Sequence, residues 1–73
     1  MDNEDLEAFG RTLREVRRKK GLTQERLAEL AGLNPRTIQK IEAGKINILL
    51  TTVLRLQRSL GCSIQELFTA MQK

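Results

Sequence analysis

The 73-residue sequence has no histidine, tryptophan or tyrosine, one cysteine (Cys62), one proline (Pro35) and two phenylalanines, Phe9 and Phe68. One thiol cannot close a disulfide within the chain. One cysteine without histidine cannot supply the converging ligands of a structural zinc, so no metal is expected. Without imidazole there is no partner to activate a Ser or Cys nucleophile. The carboxylates of Glu15, Glu25, Glu29, Glu42 and Glu66 fall at helical surface spacing with no sign of a shared pocket, which argues against an enzyme. Apolar runs are short as well: none approaches the roughly 20 residues of a membrane helix, and Met1-Asp2-Asn3-Glu4-Asp5 is acidic where a secretory signal is basic. The expectation is a soluble chain that stays in the compartment where it is made, with no membrane partner, no cofactor and no small-molecule ligand. Its length fits one domain, residues 1–73, with residues 1–5 as a frayed acidic end.

What is present is positive charge, unevenly placed. The net charge is +4, but residues 1–9 hold four acids and no base, so the remainder carries an excess of eight positive charges. A basic surface favours polyanions, meaning nucleic acid or anionic lipid, although charge alone is also what a merely soluble surface shows.

Hydrophobic periodicity divides the chain into helices. Leu6, Phe9, Leu13 and Val16 recur at steps of three and four, which predicts a helix over about residues 4–20, closed by Gly21. Thr23 can cap a second helix whose buried face is Leu27, Ala28, Leu30 and Ala31, ending at Gly32. Asn34-Pro35 opens a third, with Ile38 and Ile41 facing inward and Gly44 closing it. Residues 45–49 read as a loop. Leu50, Val53, Leu54, Leu56 and Leu60 form a fourth helix ended by Gly61, and Ser63-Ile64-Gln65-Glu66 is a capping box opening a fifth that carries Leu67, Phe68 and Met71. No stretch has strand periodicity, so the class is all-α.

The second and third helices are short and joined by a glycine turn, with Ala28 and Ala31 small enough for the axes to approach. If Ile38 and Ile41 point inward, the opposite face of the third helix presents Asn34, Pro35, Arg36, Gln39, Lys40 and Ala43. That face holds no acid and includes two long donors one turn apart. Arg36 and Lys40 suit the acceptors of guanine, and Gln39 suits adenine. The bland alternative is a solvated basic helix face.

The segments Gly21-Leu22-Thr23-Gln24-Glu25-Arg26-Leu27-Ala28, Ala31-Gly32-Leu33, Thr37-Ile38, Ile41-Glu42-Ala43-Gly44-Lys45 and Leu60-Gly61-Cys62-Ser63-Ile64-Gln65-Glu66-Leu67 resemble, in residues and spacing, the phage-repressor and Cro-like (XRE) helix-turn-helix family. The resemblance spans about residues 9–69. It implies a lambda-repressor-like fold of five short helices and a transcriptional regulator, a repressor or a controller of its own neighbouring genes, that places helix 35–43 in the major groove of double-stranded DNA. Pro35, Arg36, Gln39 and Lys40 then fall on base-reading positions, and Thr23, Gln24, Thr37, Lys45, Asn47 and Arg18 on phosphate-contacting ones. Arg17 and Glu42 match a structural ion pair. Cys62 takes the place of a small apolar residue and reads as a packing group. A prokaryotic or phage-type cytoplasm is the implied location.

Two departures from the family pattern matter. Pro35 stands where relatives often place a hydrogen-bonding Gln or Ser, so specificity should lean on Arg36 and Lys40. Asn47-Ile48-Leu49-Leu50 replaces a loop that usually ends in a helix cap, and Ile46, Ile48, Leu49 and Leu50 form an apolar patch that suggests a homodimer, joined by Phe68 and Met71. The same patch leaves open an antitoxin-type or adaptor protein that grips another protein. The basic residues 11–20 leave open a helix lying on a membrane surface, although their apolar stripe is needed for the core.

Overall fold

A computed structural model describes residues 2–69 and gives, among these, α1 (Asn3–Lys19), α2 (Gln24–Ala31), α3 (Pro35–Glu42), α4 (Leu50–Leu60) and α5 (Ile64–Phe68), with no strand. Met71 lies outside the described residues.

Four of the five helices start on a side chain that satisfies an amide the helix itself cannot. The Asp5 N–H donates to Asp2 Oδ1 at 2.8 Å, so the acidic residues expected to fray instead supply the cap and first turn of α1. The Arg26 N–H donates to Thr23 Oγ1 at 3.0 Å and the Arg36 N–H to Asn34 Oδ1 at 2.8 Å. At α5 the box is reciprocal: the Glu66 N–H donates to Ser63 Oγ at 3.1 Å and the Ser63 N–H to Glu66 Oε1 at 3.2 Å. Each such cap contributes about 1 kcal/mol. Helix α4 lacks one, because its cap position is Leu49, which has no acceptor to offer.

The helices surround one core. Phe9 and Leu13 of α1 meet Leu27, Ala28 and Ala31 of α2, Ile38 and Ile41 of α3, Val53, Leu56 and Leu60 of α4, Cys62, and Leu67 of α5. Helix α1 packs on α3 and α5, and α2 packs on α3 and α4. Two leucines assigned to buried stripes are not in them. Leu30 is 45% exposed and Leu50 71% exposed. At about 100° per residue the burial of α2 centres between Leu27, Ala28 and Ala31, which turns Leu30 to the flank, and Leu50 is likewise off the Val53–Leu56–Leu60 line. Ile46, Ile48 and Phe68, expected in the same apolar patch, are partly buried and pack against the core on one side. The Phe68 ring lies 5.2 Å from that of Phe9, tilted by 41°.

Gly32 ends α2 in the left-handed conformation at φ 69°, and the Leu33 N–H returns to the Ala28 carbonyl at 2.8 Å, which turns the chain sharply into α3. Gly10 has another role. It stands inside α1, where sequence reading finds only helix-stopping glycines, because a Cβ there would collide with the Ile41 carbonyl oxygen and lie 2.6 Å from that of Glu42. The end of α3 therefore rests directly on the backbone of α1.

Gly10→Ala should lower the unfolding free energy by about 2 kcal/mol in urea titrations, since the clash is with backbone. Intrinsic propensity alone predicts the opposite sign, a gain approaching about 1 kcal/mol for a helix-interior Gly→Ala change. A stabilised variant would show that α1 and α3 can separate cheaply. Burial, helped by the nearby Glu66 charge, pushes the Cys62 thiol pKa up. The neutral thiol is thus preferred in the fold, a contribution intact below the pH at which the unfolded thiol ionises and lost as pH rises through the folded value. Iodoacetamide at pH 8 should label the native protein much more slowly than the urea-unfolded chain.

Candidate nucleic-acid interface

Helix α3 divides cleanly into two faces. Ile38 and Ile41 are 0% and 1% exposed, whereas Arg36, Gln39 and Lys40 are exposed and Pro35 and Thr37 half-buried. Arg36 and Lys40 are one turn apart and Gln39 lies three residues from Arg36, so the long polar side chains share one side of the helix. The Asn34 cap uses its Oδ1 on Arg36's own amide, which sets the backbone from which that side chain projects. Of the residues expected on phosphates, Thr23 is exposed at the start of α2, Lys45 and Asn47 are exposed on the loop after α3, and Arg18 is exposed on α1. Thr23 already spends its hydroxyl as an acceptor in capping α2.

Beside the exposed face, the carboxylate of Glu42 is nearly sealed from solvent and collects donors from two other helices. Arg17 donates from Nε to Oε2 at 2.6 Å and from Nη2 to Oε1 at 3.0 Å, and from Nη1 to the Leu22 carbonyl at 2.8 Å. Gln24 donates from Nε2 to Oε1 at 3.0 Å. The hydrogen bonds to Glu42 push the Arg17 pKa up against the desolvation of burial, with the charges of Glu42 and Glu25 acting in the same direction. Arg17 therefore stays charged through neutral pH. One residue of the basic stretch is thereby turned inward.

The structure thus brings together Arg17, Gln24 and Glu42, but keeps Arg18, Lys45 and Asn47 as separate exposed groups. It also brings in Arg14, which the sequence places only within a basic patch flanking DNA phosphate and gives no contact of its own. Its Nε lies 3.9 Å from Glu42 Oε1, and it borders a recess of about 110 Å3 with Gln24, Gln39, Glu42 and Ala43. The available signal was the helical spacing of Arg14 to Arg18, which puts both on one side of α1. Of the apolar patch, Leu49 and Leu50 remain in the open, at 73% and 71% exposure. Among the described residues no helix is long and apolar enough to cross a membrane.

A tight glycine turn between two short helices, the second with a basic outward face, defines a helix-turn-helix domain. The Helix-turn-helix family model HTH_3 matches residues 13–67. The crystal structure of the restriction-modification controller protein C.AhdI from Aeromonas hydrophila superposes with a TM-score of 0.86 and is 43% identical, covering 89% of this chain and 98% of that one. The HTH-type transcriptional regulator PuuR of Escherichia coli K12 is 38% identical over all 73 residues, and the chain spans 39% of PuuR's length. The control protein C.SmaI of Serratia marcescens is 33% identical over 63 residues, 86% of this chain and 75% of that protein. The chain belongs to the helix-turn-helix family of DNA-binding transcriptional regulators, a family of regulators rather than enzymes. These relatives favour a regulator over an adaptor or antitoxin-type protein.

Arg17→Met strands a buried carboxylate and should cost about 3 kcal/mol. Thermal melts should report it as a fall in Tm, at roughly 4–8 °C per kcal/mol for a domain this small. The double variant Arg17→Met/Glu42→Leu should regain most of the loss, because the unpaired charge is gone. A double variant as unstable as the single one would mean that Arg17 acts through packing rather than through Glu42.

Proposed function

We propose that this protein is a controller-type regulator that reads a two-fold DNA operator as a homodimer, with helix 35–43 in the major groove. The observation that carries the reading is the division of α3, with Ile38 and Ile41 buried and Arg36, Gln39 and Lys40 presented outward. Arg36 and Lys40 donate to guanine O6 and N7, Gln39 pairs with adenine, and Pro35 offers only apolar contact. Gln24, Thr37, Lys45, Asn47 and Arg18 follow the flanking phosphates, with Thr23 beside them. Such contacts position the protein without reading sequence. The controller protein C.AhdI, 43% identical and matched over 98% of its length, supports reading the chain as a DNA-binding controller. Repression or self-control from a cytoplasmic location is the mode that fits.

The dimer rests on Leu49 and Leu50. Two adjacent leucines more than two-thirds exposed, on a helix start left without a cap, are costly unless a second subunit covers them. Two-fold symmetry then sets the two recognition helices about 34 Å apart, one turn of duplex.

Selection from a random duplex pool should return an inverted repeat. On the selected operator, Arg36→Ala or Lys40→Ala should remove about 1–3 kcal/mol of discrimination at a specific base pair. Wild-type binding by both variants would refute the groove assignment. Leu49→Ser makes a sharper test of the dimer, because it adds an acceptor at the cap of α4 while removing the apolar contact. The fold should gain about 0.5–1 kcal/mol while sedimentation shows weaker self-association. Unchanged association would remove Leu49 from the interface.

A further inference from the structure

We propose that Glu7 of α1 is a repulsive determinant of DNA affinity, a carboxylate set beside the Gly44–Lys45 corner where it opposes the phosphate that Lys45 attracts. The proposal rests on the reading of α3 as the groove-entering helix and adds to it a residue that works against binding. A Cβ built on Gly44 would fall 2.7 Å from Glu7 Cγ and 2.8 Å from Glu7 Cα, so the two residues are pressed together where α3 gives way to the loop. Gly44 has no side chain to hold Glu7 away. The Lys45 N–H donates to the Lys40 carbonyl at 2.9 Å, which fixes the origin of the exposed Lys45 side chain at the same corner. The carboxyl carbon of Glu7 is bonded directly to Cγ, and its charge therefore lies one bond beyond this contact.

Nothing among the described residues pairs with that charge. The ion pairs there are those of Arg14 and Arg17 with Glu42 and of Arg26 with Glu29, and Glu7 is exposed and in none of them. Its charged neighbours one turn away on α1 are Glu4 and Arg11, of opposite sign, whose effects on it offset each other. A role in the helix itself is also poorly served. Asp2 caps α1, and Glu4 and Asp5 lie in its first turn, where negative charge suits the helix dipole, but Glu7 stands further in and gains little from it. A phosphate drawn to Lys45 meets Glu7 within the screening distance of about 8 Å at physiological salt. Repulsion at that corner offsets part of what Lys45 contributes on any sequence. The base contacts of Arg36, Gln39 and Lys40 are left with a larger share of the total.

The test uses the intact protein, the selected operator and an unrelated duplex. Glu7→Gln keeps the side-chain size, removes the charge and should leave the thermal midpoint within a few degrees. Binding to both duplexes should tighten by about threefold per subunit, and the slope of log K against log salt should steepen. Glu7→Lys should tighten binding further. Glu29→Gln, towards the opposite end of α2 from Thr23 and Gln24, makes the same change in net charge and should tighten binding less. The gain of Glu7→Gln should vanish when one phosphate per half-site is replaced by a neutral methylphosphonate, a dependence that a merely structural role of Glu7 would not produce. Equal tightening by Glu7→Gln and Glu29→Gln, or a gain that survives every such replacement, overturns the proposal. If Glu7→Gln and Glu7→Lys bind with wild-type affinity and slope while Arg36→Ala still loses discrimination, the repulsion is wrong and the groove assignment stands. If no selected duplex binds the wild type, both are wrong.

Discussion

The arrangement of the first three helices turns on one buried carboxylate. Glu42 sits at the last position of α3, with donors from α1 and α2 converging on it. A charge removed from water needs nearly all its hydrogen bonds made, and leaving it without a partner costs several kcal/mol. Only an arrangement that delivers Arg17 from α1 satisfies Glu42. Replacing such a pair by apolar residues is often neutral for stability, so its main value here is geometric. It ties the end of α3 to α1 and to the start of α2 by directional bonds, which the non-directional packing of Ile38 and Ile41 cannot do.

Gly10 makes that convergence possible. Arg17 can lie flat against Glu42 because α1 meets the end of α3 at backbone contact, with no side chain between them. Packing and electrostatics therefore meet at one seam. On the other side of the same helix the side chains of Arg36, Gln39 and Lys40 make no hydrogen bond or ion pair among the described residues, which leaves them open to another molecule. A rigid scaffold with unspent donors loses little conformational entropy when it binds.

Much of the fold is legible in the sequence because the signals are local. Asn34-Pro35, Thr23 and the Ser63–Glu66 box mark helix starts through bonds spanning three residues or fewer, and these caps form as the spacing predicts. The two-faced nature of α3 also follows from its own eight residues. The flanks are less legible. Leu30 and Leu50 are apolar and near the right period, yet exposure depends on where neighbouring helices lie, and no local pattern contains that. Ile46, Ile48 and Phe68 read as a surface patch from the sequence, yet each is partly buried against the core, a contact no local pattern contains.

By itself the sequence determined the starts of α2, α3 and α5, the turn between α2 and α3 and the basic outward side of α3, because caps, glycine conformation and helical period all act within a few residues. Tertiary structure decided the rest: that Gly10 is a contact surface, that Gln24 and Arg14 share the oxygen of Glu42, and that only Leu49 and Leu50 of the apolar loop stay open to solvent. These depend on groups 18 to 32 residues apart along the chain meeting in space. Period and propensity carry no information about such meetings, since they describe the chain's neighbours in sequence rather than in the folded core.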